Sequence, residues 1–271
     1  MQSRIHLCLT TAWAISLGTL LAACGGGSLS GNVSLPHNPG QAVHTTTSTT
    51  APKGPPISSL MGGNAKPNVS PGTPGEVSIV LQGPLMTTPY GPGTNVLVVV
   101  ENDTDSPISA VQVSGPASVN GTVVGSGTNL LESFYPTGTI GPGQLTFSSV
   151  YFSAALPSNA KLQLTPTYHK GASAYFVDVQ VIQANQGAGV YGNGAIVGTV
   201  QNTSSVSVTG PIAADVFCFD ASGNPTGTAT GYVAGTSNAP LPAGATTSYE
   251  IDFAAPTNCP TYLVGSSGFN S

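Results

Sequence analysis

Two segments about 100 residues apart share one design, and this repeat constrains the fold more than any other feature of the chain. Val96-Leu97-Val98-Val99-Val100-Glu101-Asn102-Asp103-Thr104 and Ala195-Ile196-Val197-Gly198-Thr199-Val200-Gln201-Asn202-Thr203 are each an apolar strand that runs into an Asn turn. Further on, each copy has a turn before another long strand, Ile140-Gly141-Pro142-Gly143-Gln144 in the first and Leu241-Pro242-Ala243-Gly244-Ala245 in the second. Between the turns the pattern has period two, which is that of a strand. It is seen in Val96, Val98 and Val100, in Leu145, Phe147, Ser149 and Tyr151, and in Tyr175, Val177, Val179 and Val181. No stretch keeps a helical period, and Gly91-Pro92-Gly93 and Ser222-Gly223-Asn224-Pro225 add turn signals. The expectation is an all-β protein of two tandem antiparallel sandwiches, over residues 76–168 and 171–271, with about seven short strands each.

Charge narrows the function. Only 6% of the 271 residues are charged and the net charge is −5, so neither charge-driven disorder nor a basic nucleic-acid surface fits. Arg4 is the single arginine, and the other cations are Lys53, Lys66, Lys161 and Lys170. Beyond residue 4 the chain has no guanidinium fork for bidentate recognition of phosphate or carboxylate.

The first residues read as an export signal. Arg4 precedes an apolar run, Leu7 to Ala23, that is expected to be helical and is short for a membrane span. The run closes on Leu21-Ala22-Ala23-Cys24, and here the chain resembles bacterial lipoproteins. The resemblance implies cleavage after residues 1–23 and lipidation of Cys24, with two or three acyl chains giving a stable membrane anchor. It also implies sorting to the outer membrane of a diderm cell, because Gly25 rather than Asp follows the cysteine. The alternative is an ordinary signal peptide with Cys24 incidental. Residues 24–75, rich in Gly, Ser, Thr and Pro, lack apolar periodicity and read as a flexible, disordered tether.

The second copy carries a further resemblance. Val197-Gly198-Thr199-Val200-Gln201-Asn202-Thr203-Ser204-Ser205, then Val216-Phe217-Cys218-Phe219-Asp220, the Leu241–Gly244 turn and Tyr249-Glu250-Ile251-Asp252-Phe253 are similar to the FxLYD family of bacterial Ig-like modules. Val216, Cys218 and Phe219 depart from the signature, and the first copy has Val111-Gln112-Val113-Ser114-Gly115 in its place. The resemblance implies an Ig-like β-sandwich without a defined enzyme activity. Tyr249 to Phe253 would then be the closing strand.

Candidate sites are few. With Cys8 removed and Cys24 lipidated, Cys218 and Cys259 remain, either bridged or as two free thiols. A bridge would close a loop of about 40 residues, worth about 4 kcal/mol. Glu101, Asp103 and Asp105 alternate in a turn and are the best candidate for a Ca²⁺ site. The competing reading is a solvated turn, because the second copy keeps the Asn and drops the acids. Catalysis finds no footing. His37 and His44 lie in the tether, His169 lies between the copies, and Glu250 and Asp252 have no indicated pocket. No cofactor is expected. Trp13 falls within the signal, and Tyr135, Tyr151, Tyr175, Tyr232 and Tyr249 fit strand positions where core packing is the default, which weakens glycan binding. The expected protein is a non-enzymatic, lipid-anchored envelope component that binds another envelope protein or acts as a spacer. The alternatives are a surface adhesin or glycan binder, and an accessory subunit of an envelope or secretion assembly.

Overall fold

A computed structural model describes residues 56–88, 91–129, 135–190, 192–254, 257 and 259–270. The signal segment, Cys24 and the tether up to residue 55 lie outside the described residues. Every regular element described is a strand: β1 (Gly62–Gly63), β2 (Val77–Gln82), β3 (Met86–Thr87), β4 (Thr94–Asn102), β5 (Ile108–Val119), β6 (Thr122–Thr128), β7 (Leu145–Phe152) and β8 (Lys161–Leu162). They continue as β9 (Thr165–Lys170), β10 (Phe176–Asp178), β11 (Gln180–Gly187), β12 (Ala195–Gln201), β13 (Val208–Phe219), β14 (Pro225–Val233), β15 (Thr246–Asp252) and β16 (Thr261–Asn270).

The repeat is a repeat of topology. In the first copy the antiparallel neighbours run β9-β5-β6-β7-β4-β2, and in the second β16-β13-β14-β15-β12-β11. Strand for strand the two orders are the same, so among the described residues each copy shows six principal strands rather than the expected seven. The place beside β16, on the side away from β13, is taken by two short pieces, one from the start of the second copy and one from the segment before the first. Phe176–Asp178 of β10 pair with Phe269 to Ser267, and Gly62 and Gly63 of β1 pair with Val264 and Leu263. The alternation expected from Tyr175 to Ile182 is split there: Val179 bonds β16 through Ser266, whereas Val181 belongs to β11 across the sandwich.

Each copy folds its sheet at the β6–β7 or β14–β15 corner and closes over a core. Val96, Val98, Val100, Val113, Val150 and Phe152 fill the first. Val200, Ile212, Val216, Cys218, Ile251 and Val264 are among those that fill the second. A third core lies between the copies, where Leu97, Val99, Leu145 and Phe147 of the first meet Phe217, Phe219 and Leu263 of the second. Val96 to Val100 are therefore all fully buried. The two faces of β4 serve different cores, so an unbroken apolar run replaces the alternation of a half-exposed strand.

Two parts of the chain depart from expectation. Residues 56–75, read as tether, are laid against the folded unit. Leu145 N donates to Pro56 O, Asn64 N and Ala65 N to Tyr262 O, Asn68 N to Gly223 O, and Ser70 N to Val80 O. Ala65 is buried and Ile57, Met61 and Val69 pack on the inter-copy core, so backbone pairing and scattered apolar residues hold a segment whose composition looks like a linker. At the other end, β15 is not the closing strand. β16 follows it, with seven consecutive buried residues from Tyr262 to Gly268. Its Gly-Ser-Ser-Gly stretch carries no apolar signal, yet small size is what the site requires: a Cβ on Gly265 would lie 2.3 Å from the Tyr135 Cβ.

Candidate functional site

The Asn turns are structural knots. Asn102 is fully buried, and its amide donates to Ser106 O (2.9 Å) and Ile140 O (3.0 Å). Its Oδ1 accepts from Thr104 N (3.2 Å) and Thr104 Oγ1 (2.7 Å). Asn202 repeats the pattern with Val206 O and Leu241 O (both 2.8 Å) and with Ser204 N (3.0 Å) and Ser204 Oγ (2.7 Å). Each amide thus uses all its bonding capacity to join the end of β4 or β12 to the turn before β7 or β15. The acids beside Asn102 go elsewhere. Glu101 is buried and accepts from Gly72 N (3.2 Å), Asp103 is half-buried, and Asp105 is exposed and accepts from Ser106 Oγ (3.0 Å). Burial raises the Glu101 carboxyl above its ordinary value, with Asp103 adding to the effect. Among the described residues no group of three or more His, Cys, Asp or Glu is placed to hold a metal ion, so the Ca²⁺ candidate dissolves into separate turn contacts.

Cys218 and Cys259 form a disulfide with Cα atoms 4.8 Å apart. Cys218 points into the second core from β13. Because β16 comes after Cys259, the bridge ties β13 to the β15–β16 connection and does not pin a loose terminus. The other residues weighed for catalysis do not converge. His169 is exposed on β9, a strand of the first copy and not a linker, while His37 and His44 lie outside the described residues. Glu250 is exposed, and Asp252 Oδ1 accepts from Val190 N (2.9 Å), which fixes a loop.

The concave feature that gathers polar and aromatic groups is a cleft of about 440 Å³ between the copies. Tyr151 and Ser149 of β7 and Thr128 of β6 enter it from the first copy, and Asp215, Thr230 and Tyr232 enter it from β13 and β14 of the second. Tyr135 and Phe217 lie at its base, where the third core begins, with ring centroids 6.2 Å apart. Asp215 keeps part of its surface on the cleft while sitting deep within it. Thr230 Oγ1 and the Tyr135 hydroxyl hydrogen-bond its carboxylate. Burial pushes this carboxyl up to about 6 against those two bonds, and burial together with Asp215 raises Tyr135. On the flank, Asp178 accepts from Thr137 N (2.7 Å) and Gly138 N (2.8 Å), so β10 holds the loop that carries Tyr135. Burial lifts Asp178 to about 6 as well, opposed by these backbone donors.

The five tyrosines divide. Tyr135 and Tyr249 are core, with the Tyr249 hydroxyl on Gln183 O (3.0 Å). Tyr151, Tyr175 and Tyr232 are 48%, 75% and 61% exposed, contrary to the core placement expected of strand tyrosines. Asp215 was missed altogether. An acid between Ala214 and Val216 in a strand that is otherwise apolar was the available signal. No protein-family model, curated protein or solved structure matches this chain.

Proposed function

We propose that this chain is an exported, lipid-anchored envelope protein whose two fused Ig-like modules serve binding rather than catalysis. The observation that carries the reading is Leu21-Ala22-Ala23-Cys24 at the end of a short apolar run. The Cys218–Cys259 bridge supports export, since structural disulfides persist in oxidising compartments. Protein binding by strand addition is supported by β9, which among the described residues pairs only with β5. Next to it is a groove of about 510 Å³, lined in part by Ile79, Leu81, Leu162 and Leu164. In the second copy the corresponding edge is covered by β1 and β10, so the first copy offers a place for an extended partner. Metabolic labelling with a palmitate analogue tests the anchor. Label is expected on the intact chain and absent from Cys24→Ala, and unchanged labelling overturns it.

A second reading, a surface adhesin or glycan binder, is favoured by Tyr151 and Tyr232 facing one cleft. Protease treatment of intact cells should remove the folded unit if it faces outward, and a glycan array should show hits if those rings stack on sugar. A place as an accessory subunit of an envelope assembly is tested by crosslinking the lipidated protein in its own membrane and identifying what it captures.

A further inference from the structure

The cleft between the copies holds a carboxylate with no cationic partner among the described residues. Asp215 receives bonds from Thr230 Oγ1 and the Tyr135 hydroxyl, both neutral donors. Among the described residues that line the cleft, none is Lys, Arg or His. Neutral hydrogen bonds disperse a carboxylate's charge but do not balance it, and a charge held away from water calls for a partner of opposite sign. The walls add to the demand. Tyr151 and Tyr232 stand at the cleft with much of their surface exposed, and Phe176 and Phe269, with ring centroids 5.6 Å apart, also line it. Aromatic faces are negative and attract a cation within about 6 Å of the ring centroid.

These features select among occupants. An anion is repelled by Asp215 and by the ring faces. A neutral sugar would use the rings and hydroxyls but would leave the carboxylate unbalanced. A cation on an apolar body satisfies both, and about 440 Å³ lies within the range of roughly 300–1,000 Å³ found for small-molecule sites. The site exists only because the copies are fused, since β7 supplies one wall and β13 and β14 the other. We propose that the inter-copy cleft binds an organic ammonium group carried on an apolar or aromatic body, with Asp215 as its counter-ion and Tyr151 and Tyr232 as flanking rings. This goes beyond the anchoring and strand-addition reading and does not depend on where the chain resides.

Calorimetric titration of the full chain in a non-ionic detergent tests the assignment. Phenethylamine is the cationic probe, 2-phenylethanol its neutral counterpart, and maltose the sugar. Phenethylamine is expected to bind about tenfold more tightly than 2-phenylethanol, or better. Asp215→Asn keeps the shape of the side chain and should remove that preference, and Tyr232→Ala, at an exposed position, should weaken binding several-fold. Lowering the pH from about 7.5 to about 5 should also weaken it, because a protonated Asp215 no longer attracts a cation. Among the described residues, the other titratable groups at the cleft are Tyr135, Tyr151 and Tyr232, with Asp178 in the field of Tyr135. Equal binding of amine and alcohol, binding of maltose alone, no binding of phenethylamine, or full binding by Asp215→Asn would each overturn the proposal. None of these outcomes alters the Cys24 labelling result, so the two readings fail separately.

Discussion

Asn102 and Asn202 show how one side chain can do the work that a run of apolar residues cannot. Each makes four hydrogen bonds from a fully buried side chain, two to carbonyls and two from the turn's own N–H and hydroxyl, and one such bond contributes about 0.5–1.5 kcal/mol. Asn202→Ala should therefore lose about 2–4 kcal/mol in urea unfolding. Asp105→Asn, at an exposed position in the corresponding first-copy turn, should change stability by less than about 0.5 kcal/mol. In the sequence the first-copy turn reads either as a Ca²⁺ candidate on its acids or as a solvated turn, and the bonds of Asn102 and Asn202 fit the second. Asp178 and Asp215 have the opposite character, since burial raises both from an ordinary 3.8 to about 6. Between those values the folded protein binds protons that the unfolded chain has released, so stability rises as the pH falls through about 6 and levels off near 4. Glu101, also raised, acts in the same direction, and Asp220, lowered by its Asn224 and Ser222 bonds, acts only at lower pH. Thermal melts should give a higher midpoint at about pH 5 than at about pH 7.5, and Asp215→Asn should flatten that difference.

At the scale of elements, composition and role separate most clearly in residues 56–75 and in β16. The first reads as linker because Pro, Gly and Ser dominate, and such residues build no periodic face. Its contacts are made largely by the backbone, and hydrogen bonds to Tyr262 O, Gly223 O and Val80 O leave no period in the sequence. Deleting residues 56–75 should lower the stability of the remaining chain and speed hydrogen exchange at Val264 and Leu263, the β1 partners. Unchanged protection of those amides would show that the segment contributes nothing. β16 was invisible for a different reason. Its small residues serve close approach, with Gly265 against Tyr135 and a Cβ on Gly268 meeting Val208 and Ile212 atoms within 3 Å. The Cys218–Cys259 bridge anchors the entry to this strand, which gives the disulfide a larger structural role than tethering an end.

At the scale of the whole molecule, the two copies are joined by a core of their own. Phe147 and Phe217 have ring centroids 5.8 Å apart, and Phe147 meets Phe219 edge-on at 6.5 Å. The described residues accordingly belong to one compact unit. Removing a fully buried aromatic from such a position costs about 3–5 kcal/mol. Phe217→Ala should lower stability by that order and loosen the coupling between copies. The unaltered chain should unfold in one transition by fluorescence and by far-ultraviolet dichroism, and the variant in two. Two separate transitions in the unaltered chain would count against a shared core.

From the sequence alone come the all-β class, the two-copy plan, the Asn turns and the candidacy of Cys218 and Cys259 for a bridge. All of these rest on signals local to a strand or a turn: period two, Gly and Pro at bends, and cysteines left over in a chain read as exported. Only the tertiary structure shows that Val96 to Val100 face two cores, that residues 56–75 strap the copies together, and that β16 closes the second. The same is true of the cleft, where Asp215 meets Tyr135 and shares the lining with Tyr151. These arrangements depend on pairs of residues far apart in the chain, and on backbone bonds and close approach that apolar periodicity does not encode.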